Sequence, residues 1–146
     1  MIHTQHANNK TEIGAGIVQY EDENGLKFLS IENAHASATV ALQGGHVMHW
    51  QPKSAAQPVL WLSSNARYTE GRSIRGGIPI CWPWFGPAKD PKLPAHGLVR
   101  NKAWTLNSFI RHPDGSDEIQ FSIATSPDIT PEWPHKASLT LTYRIG

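Results

Sequence analysis

The sequence predicts an all-β fold, a sandwich or a barrel, on three observations. Apolar residues recur at every second position in short runs. Turn-forming residues separate these runs at intervals of roughly ten residues. No segment holds an apolar i, i+3, i+4, i+7 pattern over three turns, so no amphipathic helix is expected.

The elements follow in order. Residues 1–12 are polar and are expected to form a mobile tail, with residues 13–146 as the folded unit. Ile17 to Tyr20 is a first short strand. Glu21-Asp22-Glu23-Asn24-Gly25 turns the chain, because Asn-Gly adopts the positive φ that a tight hairpin needs. Leu26, Phe28 and Ile31 mark the return strand. Ala36, Ala38, Val40 and Leu42 alternate with Ser37, Thr39 and Ala41, and the run ends at Gly44-Gly45. Val47 to Gln51 is a further run closed by Pro52, and Val59-Leu60-Trp61-Leu62 reads as another after Pro58. Later, Trp104, Leu106 and Ile110 fall at even spacing. Ile119, Phe121 and Ile123 alternate with polar or small residues, as do Leu139, Leu141, Tyr143 and Ile145. This last alternation runs to the end of the sequence, which predicts an open-ended rather than a closed unit.

Between Ser63 and Arg100 the rhythm stops. Five of the 11 prolines lie between Pro79 and Pro94, which excludes regular strands there. Trp82, Trp84, Phe85, Ile78 and Ile80 are too apolar for a solvated linker. The stretch is therefore read as an ordered loop across one face of a sheet, and long ordered loops are commonly functional.

Composition narrows the function. The 146 residues carry a net charge of +1, which argues against nucleic acid and anionic membrane as partners. No run of about 18 apolar residues is present, so no transmembrane helix is expected. The first ten residues lack an apolar h-region and do not read as a secretory signal. One cysteine, Cys81, fits a reducing compartment, and a cytoplasmic location is expected. Cys81 lies among apolar residues and is read as buried and inert.

No metal or cofactor motif emerges. His46 and His49 are three apart, which puts them on opposite faces of a strand, one packed and one exposed. No third ligand stands at a recognisable spacing. The informative constellation lies in the long loop. Arg72 and Arg75 precede Gly76-Gly77, and arginine presents a rigid fork of donors suited to phosphate. Trp82, Trp84 and Phe85 offer flat apolar faces on which sugar rings stack. His96, in Pro94-Ala95-His96-Gly97, suits proton transfer near neutral pH. Taken singly, each arginine also reads as a surface residue, each tryptophan as core and His96 as a loop histidine. Spacing alone supports a sugar or phosphosugar site.

Four segments resemble the hexose-6-phosphate mutarotase (glucose-6-phosphate 1-epimerase) branch of the aldose 1-epimerase family. They are Ala41-Leu42-Gln43-Gly44-Gly45-His46-Val47, Val59-Leu60-Trp61-Leu62-Ser63, the run from Ser73 to Gly86 containing Arg75-Gly76-Gly77-Ile78-Pro79, and Ala95-His96-Gly97-Leu98-Val99-Arg100 with Trp104 after it. The resemblance spans about residues 15 to 146. It implies a galactose-mutarotase-like β-supersandwich and interconversion of the α and β anomers of a hexose 6-phosphate, without cofactor or metal. In that family a carboxylate base deprotonates the anomeric hydroxyl while a histidine protonates the ring oxygen. Arg75 matches the arginine that contacts substrate, and His96 the first active-site histidine. Arg100 and Trp82 match positions near the sugar or its phosphate, and Arg72 is a further phosphate candidate. The resemblance places a second histidine and the carboxylate beyond Gly146, and neither Glu70 nor Asp90 is assigned as a substitute. The expectation is thus the N-terminal half of such a sandwich, incomplete, with self-association or complementation by the other half. A non-catalytic carbohydrate- or phosphosugar-binding module is the alternative. Trp61 and Trp104 are read as core, Trp82 and Trp84 as part of a sugar-facing loop.

Overall fold

The computed structural model describes residues 8–146, which form two antiparallel sheets and no helix among the described residues. The first sheet is a five-stranded meander of β1 (Asn8–Gly14), β2 (Ile17–Glu21), β3 (Lys27–Glu32), β4 (Ala36–Ala41) and β5 (His46–Pro52) in sequence order. The second comprises β6 (Thr105–Arg111), β7 (Asp117–Thr125) and β8 (Ala137–Ile145), also in sequence order. The all-β expectation stands.

Period two explains the layers. In the register of β2, β3 and β4, Ile17 pairs with Ile31, Ile31 with Ala38 and Leu29 with Val40. Their side chains point to one face and meet Ile119, Phe121 and Ile145 of the second sheet, with Leu98, Val99 and Trp104 filling between them. The alternate residues point the other way. Tyr20 stacks on Phe28 with centroids 5.3 Å apart, and Ala41 and Met48 complete that face. The first sheet is thus covered on both sides, and the second cover is loop: Leu62, Ala66, Tyr68 and Ile74 pack onto it.

A polar clamp joins the sheets at one end. The Asp117 carboxylate is fully buried. It accepts from Arg111 Nε and Nη2, each at 2.9 Å, and from Asn33 Nδ2 at 3.0 Å. Asn33 Oδ1 in turn accepts from the backbone of His35 and Ala36, which shapes the β3–β4 turn. At the other end Tyr143 donates its hydroxyl to the Gly45 carbonyl.

Several expectations need correction. Residues 8–12 are not a tail but most of β1, paired with β2; residues 1–7 lie outside the described residues. Val59–Leu62 is not a strand. That segment runs as a strap beside β5, with Val59 N donating to Trp50 O and a single bridge from Leu62 to Gly76. Val59 and Trp61 turn outward while Leu60 and Leu62 pack inward, so Trp61 is 71% exposed rather than core. Cys81 is half-buried. Trp104 is core, with its indole N–H donated to the Val99 carbonyl. The Asn24-Gly25 hairpin forms as expected, with Gly25 at φ +80°.

Candidate functional site

The long loop is ordered by single tethers rather than by ladders. The Gly77 N–H donates to Trp61 O, and the Ile78 N–H to Val47 O, each at 2.8 Å. The Leu98 N–H donates to Trp82 O at 2.7 Å, bringing the His96 segment alongside Trp82 in a parallel bridge. Leu60, Ile80, Trp82, Trp84 and Leu93 pack on the core from this loop. Of the apolar residues that excluded a solvated linker, Ile80, Trp82 and Trp84 therefore anchor it, whereas Ile78 and Phe85 are exposed.

One part of the loop gathers arginines. Between Leu62 and Gly77 the apolar residues face the sheet and the charged ones face out. Arg67, Arg72 and Arg75, all exposed, line one open cleft of about 440 Å³ with Ser63, Asn65 and Ser73. No Asp or Glu lines it. Three guanidinium groups and three small polar side chains make a surface that favours an anion with several acceptor oxygens. Arg72 and Arg75 were candidates from the sequence. Arg67, Ser63, Asn65 and Ser73 were not, because only the fold of the loop over Tyr68 brings them in.

The backbone under these arginines is held by side chains from β5 and from the connections beside the strands. Gln43, buried, donates its amide to Thr69 O at 3.2 Å and Arg72 O at 2.8 Å, and accepts the Gly71 N–H at 2.9 Å. Asn24 and Asn101 donate to Tyr68 O and Gly71 O. His46 is fully buried and opposes Ala41 on the face beneath the loop. Its Nε2 lies 2.6 Å from Gly76 O. A carbonyl only accepts, so Nε2 carries the proton and Nδ1, buried and unpartnered among the described residues, does not. Burial, with the nearby charge of Arg100, holds the His46 pKa below its ordinary value, against the pull of the Gly76 carbonyl.

His96 is placed separately. Its φ is +64°, in the left-handed region. Its Nδ1 accepts the Gly86 N–H at 3.1 Å, and its own N–H donates to Gly86 O at 2.8 Å. In the neutral ring the proton therefore sits on Nε2, which is left to donate. Phe85, 82% exposed, stands edge-on to the imidazole with centroids 4.8 Å apart. Trp84 donates its indole N–H to Pro94 O, and Trp82 packs edge-on against Trp133 at 5.3 Å. Trp133 was not singled out from the sequence. Arg100 is half-buried, with its backbone against Gly44. Arg72 and Arg75 are thus brought into one cleft. His96 and Trp82 share another part of the loop, and Arg100 does not line the arginine cleft, though its charge bears on His46.

Comparison with known proteins shows what the chain is similar to. The family model described as aldose 1-epimerase matches residues 27–146. A protein of Escherichia coli (strain K12) named "Putative glucose-6-phosphate 1-epimerase" is 41% identical over 121 residues, covering 83% of this chain and 40% of that protein. A Salmonella typhimurium protein of the same name is 37% identical over 121 residues, with the same coverage. The crystal structure titled as a "putative mutarotase (YeaD)" from Salmonella typhimurium superposes with a TM-score of 0.85 at 33% identity, covering 92% of this chain and 45% of that one. The crystal structure of HI1317 gives a TM-score of 0.74 at 27% identity, covering 92% and 47%. The fold is thus shared with mutarotase-like structures, and the chain spans about 40% of the length of these curated relatives.

Proposed function

The chain belongs to the aldose 1-epimerase family, and on that premise we propose that it forms the substrate-holding wall of a site interconverting the α and β anomers of an aldohexose 6-phosphate. The observation that carries this reading is the cleft of Arg67, Arg72 and Arg75 without a carboxylate. A phosphate dianion offers the acceptor oxygens that three guanidinium forks satisfy, whereas a neutral sugar leaves them in water. Names of the relatives point to the same substrate class. Arg75 and Arg72 take the phosphate, joined by Arg67, and Arg100 supplies further positive charge. Trp82 stands with the sugar side of the wall.

His96 has the tautomer that the chemistry needs. With Nδ1 held by the Gly86 N–H, a proton on Nε2 is available to the ring oxygen of the sugar. Protonating that oxygen while a base removes the anomeric hydroxyl proton opens the ring to the aldehyde; rotation about C1–C2 and reclosure give the other anomer. The base is not one of the residues at this cleft. Glu70 lines a different cavity, beside Lys27 and Lys102, and Asp90 Oδ1 accepts the Lys92 N–H. A non-catalytic phosphosugar-binding module accounts for the same cleft.

Two measurements on the chain test these readings. Calorimetric titration is expected to show tighter binding of glucose 6-phosphate than of glucose. A coupled mutarotation assay is expected to show little acceleration without an added base-bearing segment. Equal affinity for the two sugars would overturn both readings. Rapid mutarotation by the chain alone would show that one of its own carboxylates acts as base.

A further inference from the structure

We infer that Gln43, in the β4–β5 connection, and His46, the first residue of β5, are positioning residues that set the arginine cleft by fixing the backbone beneath it. The inference rests on the anion-binding reading of that cleft. Arginine side chains are long and rotamer-rich, so a defined anion site needs a backbone that does not move. Gln43 supplies one end. Its buried amide uses both hydrogens and its oxygen on a single turn, at Thr69 O, Arg72 O and Gly71 N. That turn runs from Thr69 to Arg72 and is closed by the Arg72 N–H on Thr69 O at 3.1 Å. His46 supplies the other end through Gly76 O, the residue after Arg75. A Cβ on Gly77 would lie 2.9 Å from His46 Nε2, so the glycine pair is moulded directly on the imidazole.

Neither side chain lines the arginine cleft, so each acts only through the segment it holds. A polar group this buried costs stability unless fully paired. Gln43 meets that cost wholly through the arginine-bearing turn, which no demand of the sheet itself explains. His46 meets it only in part, since its Nδ1 stays unpartnered. An apolar residue at position 46 would fill the same space without that penalty, so its N–H to Gly76 is what the histidine adds.

The test is a double-mutant cycle read by titration with glucose 6-phosphate and with glucose. Gln43→Met keeps side-chain length and removes the hydrogen bonds; His46→Met does likewise, while His46→Gln retains a donor near Nε2. Gln43→Met and His46→Met are each expected to weaken glucose 6-phosphate binding about tenfold. His46→Gln is expected to restore most of it. In an Arg72→Ala background Gln43→Met should add little further loss. A merely structural role would produce the same loss in both backgrounds. Wild-type affinity in folded Gln43→Met and His46→Met would overturn the inference. If Arg75→Ala also leaves affinity unchanged, the anion-binding reading itself fails; if Arg75→Ala weakens binding and Gln43→Met does not, only the positioning role fails. Amide exchange on the wild-type chain keeps the test independent of variant folding. The Gly71 N–H, bonded to Gln43 Oε1, is expected to be protected and to gain protection with glucose 6-phosphate. Fast exchange of Gly71 in both states would contradict the inference.

Discussion

Replacing Gly77 with alanine is expected to lift the arginine-bearing segment off the sheet. Gly77 has φ +63°, and an added Cβ would lie 2.2 Å from the Val47 carbonyl oxygen and 2.9 Å from His46 Nε2. The oxygen cannot step aside cheaply, because it belongs to β5 and accepts the Ile78 N–H at 2.8 Å. Relief requires the turn to move, which breaks that bond and the one from His46 to Gly76 O. The left-handed conformation costs an alanine about 1–2 kcal/mol, and the two hydrogen bonds contribute about 1 kcal/mol each. The sum is roughly 3–4 kcal/mol, which in a domain of this size lowers Tm by about 10 °C. Urea unfolding followed by tryptophan fluorescence reads this as a lower midpoint at constant slope. Glucose 6-phosphate affinity should fall in parallel, since Arg75 precedes the turn. A Gly77→Ala chain within about 0.5 kcal/mol of wild type would refute the close-approach reasoning.

Three further outcomes are expected. Asp117→Ala removes the carboxylate that Arg111 and Asn33 share, leaving them the Glu32 and Ile145 carbonyls, and should destabilise the chain by about 3 kcal/mol, at the low end for breaking a buried pair because Arg111 is partly solvated; a loss under about 1 kcal/mol in chemical denaturation would show that the clamp between the sheets is dispensable. His46 is held below its ordinary pKa by burial, so below pH of about 6.5 the unfolded chain takes up a proton that the folded chain resists. Stability should therefore fall as pH drops through that value, until the folded imidazole itself titrates, and His46→Gln should flatten the slope between pH 8 and 5; an unchanged slope would remove His46 as its source. For a base-complemented, active preparation, His96→Ala should lower turnover by about 100-fold with little change in affinity, and an unchanged rate would return His96 to a loop histidine.

Much of the sandwich was legible because half-buried strands write their exposure into every second residue. The register of Ile17, Leu29, Ile31, Ala38 and Val40 follows from that alternation. β1 was not legible. Lys10, Thr11 and Glu12 are exposed at a sheet edge, where no apolar stripe is demanded. The opposite error arose at Val59–Leu62, whose apolar run lies beside β5 with Val59 and Trp61 turned outward. In β6 a bulge between Leu106 and Ser108 shifts the alternation, leaving Ile110 52% exposed. Arg72 and Arg75 could be read together because they are near neighbours with a glycine pair after them. Arg67 could not, since its place depends on Tyr68 packing against Phe28 on the outer face of the sheet. Gln43 was silent for a different reason: a buried amide and an exposed one look alike in a sequence, and only the carbonyls facing it reveal the difference.

Titration of the chain with glucose 6-phosphate and with glucose, at low and at moderate salt, tests the account most directly. Wild type should prefer the phosphorylated sugar by at least about tenfold at low salt. Because the three arginines are exposed, that preference should shrink as salt rises. Arg75→Ala should remove most of it while leaving glucose affinity alone. Equal binding of the two sugars by wild type, or a preference that survives Arg75→Ala intact, would contradict the assignment of the arginine cleft as the phosphate-holding part of the site.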